Sequence, residues 1–236
     1  MTPANIPISG TLISGRFVHR SNRFLAEVDV AGERALAHVP NSGRMTELFV
    51  PGVEVLLRPA PVESERRTAY DLLLIMHGDS WVGVDSRLPP GLIVDAWRAG
   101  LLPAFDGYQS VRREVRYGES RLDLLFEGPQ GQLYVEAKSV NLVKDGLGLF
   151  PDAPTIRGAR HLGELASAVR GGHRAAVTFV VQRDDVQRVM PYVDKDPVFA
   201  AALLDAVSTG VECYAISCAV TPNGSTPTRL VPVVLP

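Results

Sequence analysis

Asp123, Glu136 and Lys138 are the residues of this chain whose types and spacing could do chemistry. They fall in SRLDLLFEGPQGQLYVEAKS (120–139), where two apolar runs, Leu122 to Phe126 and Leu133 to Ala137, flank Gly128-Pro129-Gln130-Gly131. Alternation and β-branched or aromatic content make each run a strand, and the glycine-proline break makes the pair a hairpin. Glu136 and Lys138 are two apart, so on a strand they share a face, and a hairpin can bring Asp123 opposite them. Two carboxylates and one ammonium then converge.

That set suits phosphodiester chemistry. Mg²⁺ or Mn²⁺ takes oxygen ligands, usually one or two carboxylates with waters and substrate phosphate. The ion polarises the phosphoryl group and acidifies a bound water, while a lysine stabilises charge or orients that water. Asp123 and Glu136 are therefore the expected metal ligands, and all three residues the expected catalytic set. The competing reading is a solvated strand face that happens to be charged. Lysine usage favours the first: of 24 lysines and arginines only three are lysine (Lys138, Lys144, Lys195). A chain that otherwise chooses arginine places a compact charge here. Glu114 is either a third acidic ligand or an ordinary strand carboxylate, and its place in a charged strand favours the latter.

The elements that must position this hairpin read as two units, residues 1–85 and 86–236. In the first, TLISGRFVHR, RFLAEVDV, RALAHVP, VEVLLRPAP, AYDLLLIMH and WVGVD are short strands without a strong helix between them. They suit a small closed barrel of the OB type. Its first hairpin connection carries Arg16, His19, Arg20 and Arg23 beside Phe17 and Phe24, a pattern that could track phosphates and stack bases in a sequence-tolerant way. DSRLPPG (85–91) reads as the boundary, stiffened by Pro89-Pro90.

The second unit alternates strands and helices. VRREVRYG and the hairpin precede a helix, GARHLGELASAVRGG, with Leu162, Leu165, Ala166 and Val169 as its apolar stripe. AAVTFVV is a buried strand, PVFAAALLDAVSTG a helix and VECYAISCAV a closing strand, together an α/β sheet. Residues 141–154 read as a loop long enough to be a flap. Beyond it Thr155, Arg157, Arg160, His161 and Glu164 gather at a helix start. The spacing puts 160, 161 and 164 on the outward face, and Arg157, Arg160 and His161 are expected to hold phosphates there.

Net charge is −2, so a nucleic-acid partner must be held by local clusters rather than bulk charge. Cys213 and Cys218 lie on opposite faces of one strand and suit free thiols in a reducing cytoplasm. The first residues carry no charged-then-apolar leader pattern and no run approaches a membrane span.

Four blocks, PNSGRM (40–45), EVRYGESRLDLL (114–125), YVEAKSV (134–140) and FPDAPTIRGARHLGEL (150–165), resemble those of the sugar fermentation stimulation protein A family, in order from about Leu12 to about Val220. The resemblance implies an OB-like domain followed by a PD-(D/E)xK nuclease-like domain, DNA binding, and a link to maltose metabolism. The nuclease motif falls on Asp123, Glu136 and Lys138. Two functions follow as expectations: a divalent-metal-dependent DNA nuclease, or a non-catalytic DNA-binding regulator on the same fold. A glycosidase would leave Lys138 and the arginine-rich helix start without a role.

Overall fold

A computed structural model describes residues 5–61 and 63–236 of the chain, so the first four residues of the stretch read for a leader lie outside it. After a short β1 (Ile6–Pro7) come β2 (Ile13–Asn22), β3 (Leu25–Val30), β4 (Glu33–His38), β5 (Glu54–Pro59), β6 (Tyr70–His77) and β7 (Ser80–Gly83). They hydrogen-bond in the order β4-β3-β2-β5-β6-β7, and a further parallel pairing of β4 with β6 closes the sheet into a barrel. Inward positions along these strands, among them Phe17, Val28, Ala37, Leu57 and Leu72, fill the interior. Closure removes the exposed edges that a small open sheet would leave.

Pro89 and Pro90 do not stiffen a linker; they open α1 (Pro89–Arg98). The first helical turn has no intrahelical partner for its N–H groups, so proline costs little there. Then follow β8 (Ser110–Tyr117), β9 (Ser120–Gly128), β10 (Gly131–Val140), β11 (Val143–Lys144), β12 (Leu147–Phe150), α2 (Ile156–Arg170), β13 (Arg174–Val181), β14 (Arg188–Pro191), α3 (Pro197–Thr209), β15 (Glu212–Thr221) and β16 (Gly224–Val231). The main sheet runs β1-β16-β15-β13-β10-β9-β8, with β10, β13 and β15 mutually parallel and the remaining pairs antiparallel. Leu162, Leu165, Phe199 and Leu203 of α2 and α3 pack with Val177 and Phe179 on one face. On the other, Leu92 and Ile93 of α1 meet Phe126 and Val180. The fold is an OB barrel followed by an α/β domain.

Two further parts differ from the sequence reading. Residues 141–154 are not an irregular flap: β11 and β12 form a hairpin, and β14 joins β12 in parallel as a small second sheet. β16, rich in threonine and carrying Pro227, has no apolar run to announce it, yet it pairs along β15 with a register shift between Ser217 and Cys218. Cys213 and Cys218 are free and pack on opposite faces of β15.

Candidate active site

The site forms where the β9–β10 ladder ends. Its last paired positions are Leu124 and Val135, which puts Asp123 against Glu136 one step on. There the Ala137 N–H donates 2.8 Å to the Asp123 Oδ2 instead of to a backbone carbonyl. A side-chain acceptor thus replaces the next rung and holds the carboxylate over β10. On its other side β10 is locked to β13, with Glu136 level with Val177 and Lys138 with Phe179.

The same β10 face carries Tyr134 and Val140 into the core under α2. Glu136 and Lys138 keep to it, only 4% and 8% exposed. Charges this dry are costly unless they satisfy one another. Lys138 Nζ donates 2.8 Å to Glu136 Oε1, and His161 Nδ1 donates to the same oxygen. Arg157 Nε donates 3.3 Å to His161 Nε2, which assigns the ring proton to Nδ1. Glu136 Oε2 is buried and has no partner.

The two carboxyls are driven apart. Burial, and next the Glu136 charge, push Asp123 up to about 6, outweighing the Ala137 N–H and Lys138. Burial acts on Glu136 in the same sense, but the His161 hydrogen bond and the Lys138 charge overcome it and leave Glu136 below its ordinary value. Asp123 therefore takes up a proton as pH falls through about 6, while Glu136 stays ionised. An anionic oxygen without a hydrogen bond, facing a second carboxyl, is a donor set suited to a hard divalent cation.

These groups line a cleft of about 490 Å³ bounded by residues 41–43, by 149–158 and by Arg23 and Ser86. The barrel reaches its rim through Asn41, whose Nδ2 donates to Val84 O and, at 3.1 Å, to Asn141 Oδ1. Met45 N donates 2.8 Å to Asp152 Oδ2, and a side chain at Gly43 would meet that carboxylate at 2.8 Å. Gly43 is thus the residue that lets the loop close on Asp152. Across the cleft, α2 begins at Thr155, whose side chain accepts 3.0 Å from Gly158 N and whose own N–H donates 2.7 Å to Asp196. A cap of this kind is worth about 1 kcal/mol, and here it also fixes Arg157 and His161 above Glu136.

Not every expected residue converges. Asp123, Glu136, Lys138, Arg157 and Arg23 line the cleft; Arg16, Arg20 and Arg160 are not among its lining. His161 is not on an outward face with Arg160: it is 2% exposed. It stands one turn before Leu165 and so extends the buried stripe. A phosphate-holding role for it is thereby corrected. Arg16, His19 and Arg20 lie on β2 rather than in a connection. Arg20 spends its guanidinium on the carbonyls of Arg23, Arg44 (2.6 Å) and Asn41 (3.1 Å) and stacks 4.6 Å over Phe49. Burial lowers its pKa to about 10. It is a strut of the barrel rim and its fork is not free for phosphates. Arg16 donates to Gly52 O and Arg160 is exposed on α2. Glu114 is paired with Arg121 at 3.3 Å, and no cluster of three or more His, Cys, Asp or Glu side chains suited to a metal occurs among the described residues. The Asn41–Asn141 link and the His161 contact were both missed. Only the His161 spacing to Leu165 could have signalled the latter.

An OB barrel whose rim loop seals an acidic, lysine-bearing cleft in an α/β domain is the class this geometry defines. The model of the SfsA N-terminal OB domain matches residues 18–84, and that of the sugar fermentation stimulation protein RE domain matches residues 87–224. The chain belongs to the sugar fermentation stimulation protein family. It is 45% identical to a sugar fermentation stimulation protein homolog of Desulforamulus reducens, over 95% of this chain and 93% of that protein. A homolog of Alkaliphilus metalliredigens is 48% identical, over 92% of this chain and 94% of its own. The solved structure of Pyrococcus furiosus SfsA in complex with Ca2+ superposes with a TM-score of 0.88 at 31% identity, covering 99% of both chains. No helix among the described residues is long and apolar enough to cross a membrane.

Proposed function

We propose that this protein hydrolyses phosphodiester bonds in DNA at a divalent-metal site of the PD-(D/E)xK type. The observation that carries this reading is the buried, unpartnered Oε2 of an ionised Glu136 beside a second carboxyl, Asp123. Asp123 and Glu136 would hold Mg²⁺ or Mn²⁺. The related Pyrococcus furiosus structure in complex with Ca2+ supports a divalent ion in this family. When bound, the ion supplies Lewis-acid polarisation and an acidified water.

The chain's own residues do the rest. Lys138 presents a compact ammonium at the cleft floor, where it stabilises charge developing on the phosphate. His161, held by Arg157, keeps Oε1 of Glu136 engaged and leaves the buried Oε2 without a partner beside the cleft. Arg23 and Arg157 at the rim supply charges for the DNA backbone. Asp123, ionised above about pH 6, would offer its carboxylate to the ion beside Glu136, and its protonation in acid would compete with that binding.

The test is incubation of the protein with end-labelled single- and double-stranded DNA in Mg²⁺, Mn²⁺ or EDTA. Cleavage that needs the metal and vanishes in Asp123→Ala with Glu136→Ala is the expected result. DNA binding without cleavage under any metal would favour the regulator.

A further inference from the structure

A second cavity, of about 330 Å³, lies beside the cleft and shares Leu142 and Asp152 with it as a common wall. Three cations line it, each from a different element: Arg44 from the barrel's rim loop, Lys144 from β11 and Lys195 from the approach to α3. Among the described residues none of the three is within ion-pair distance of a carboxylate, whereas Arg34, Arg58, Arg66, Arg87, Arg112 and Arg174 all are. Lys144 lies 5.5 Å over the Tyr192 ring, a contact that leaves its ammonium open to an anion.

The lysine inventory sharpens this. The chain has three lysines; Lys138 lines the cleft and Lys144 and Lys195 line its neighbour. A chain that uses arginine everywhere else puts every compact, flexible ammonium along one groove. Such a charge meets a phosphate without demanding the fixed fork geometry of a guanidinium, which suits a backbone read without regard to sequence. Two carboxylates also face this cavity. Asp152 accepts the Met45 N–H and burial raises Glu47, and against three cations the two carboxylates still leave the lining with an excess of positive groups.

Resting on the nuclease reading, we propose that Arg44, Lys144 and Lys195 form a phosphate-binding extension of the active cleft. It holds the backbone of a nucleic-acid strand next to the bond at Lys138, so the substrate is a polynucleotide spanning both cavities and not a mononucleotide or dinucleotide. Because Arg44 comes from the barrel and the lysines from the α/β domain, the strand itself would bridge the two units.

The experiment compares Lys144→Glu with Lys195→Glu, made together in the full chain, against wild type. Fluorescence anisotropy with a labelled oligonucleotide over a salt series is read beside Ca²⁺ titration. The double variant is expected to bind the oligonucleotide more weakly and to lose roughly 0.7 to 0.9 from the slope of log K against log salt per contact removed. Its Ca²⁺ affinity, and its weak affinity for a dinucleotide, should match wild type. An oligonucleotide affinity and slope equal to wild type would overturn the extension and leave the nuclease reading standing. Equal losses for dinucleotide and oligonucleotide would also overturn it. Failure of wild type to bind any nucleic acid would overturn both.

Discussion

His161 donates its Nδ1 hydrogen to Oε1 of Glu136, the same oxygen that Lys138 Nζ reaches at 2.8 Å. A helix is thereby tied to the strand that carries the motif, and one carboxylate oxygen is taken so that the other is left bare. Partners of this kind that orient a metal ligand are worth roughly 10- to 100-fold in metal affinity. His161→Ala should therefore weaken Mn²⁺ binding by about that factor, measured by calorimetric titration. His161→Asn, which keeps an N–H donor, should recover part of it. Equal affinity in wild type and both variants would show that Glu136 needs no such support.

Asp123 links the site to stability through pH. Its folded pKa is raised from 3.8 to about 6, so between those values the folded state holds a proton that the unfolded chain releases. This carboxyl favours folding in acid, and the contribution is lost as pH rises through about 6. Asp123→Asn keeps an acceptor for the Ala137 N–H and removes the buried charge. Without metal it should be more stable than wild type at pH 7 to 8, by on the order of 1–3 kcal/mol. The difference should shrink as pH falls toward 4. Thermal melts across this range decide the matter, and a difference that grows in acid would contradict the assignment.

The hairpin was legible because its signals are local: alternation, a Gly-Pro break and a two-residue spacing that survives any tertiary context. The barrel and the alternating α/β pattern were legible for the same reason. The sequence puts His161 on the outward face because the aliphatic stripe begins at Leu162 and histidine does not declare itself apolar. Composition shows the charge of Arg20 but not that carbonyls of Arg23, Asn41 and Arg44 occupy it. β16 is the hairpin partner of its neighbour β15 across Pro222-Asn223, but its threonines and Pro227 give it no apolar alternation to read, whereas the Asn41–Asn141 bond joins residues 100 apart that no local pattern encodes.

Arg20 and Arg23 should separate fold from binding. Arg20→Ala leaves three carbonyls without their donor and removes a cation from the Phe49 face, so it should destabilise the protein by roughly 1–3 kcal/mol in chemical denaturation. Arg23→Ala, exposed at the cleft rim, should leave stability within about 0.5 kcal/mol. It should instead lower the salt slope of DNA binding by roughly 0.7 to 0.9. The reverse pattern would return Arg20 to the phosphate-binding set.

Lys138 is the most demanding test of the catalytic reading. Its ammonium is confined at 8% exposure and fixed 2.8 Å from Glu136, so the geometry uses a small charge at one point. Arginine keeps the charge but spreads it over a plane and adds bulk that this floor must absorb. Lys138→Arg should bind DNA close to wild-type affinity, since arginine serves phosphate contacts at least as well. Cleavage should fall by roughly 10²-fold or more, as when a positioned electrostatic group is lost. Binding and metal-dependent cleavage are to be measured on one folded preparation, with circular dichroism confirming that the floor accommodates the change. Full cleavage by the arginine variant would remove Lys138 from the chemistry and leave it a phosphate anchor. Loss of both binding and cleavage would mark it as a strut for Glu136.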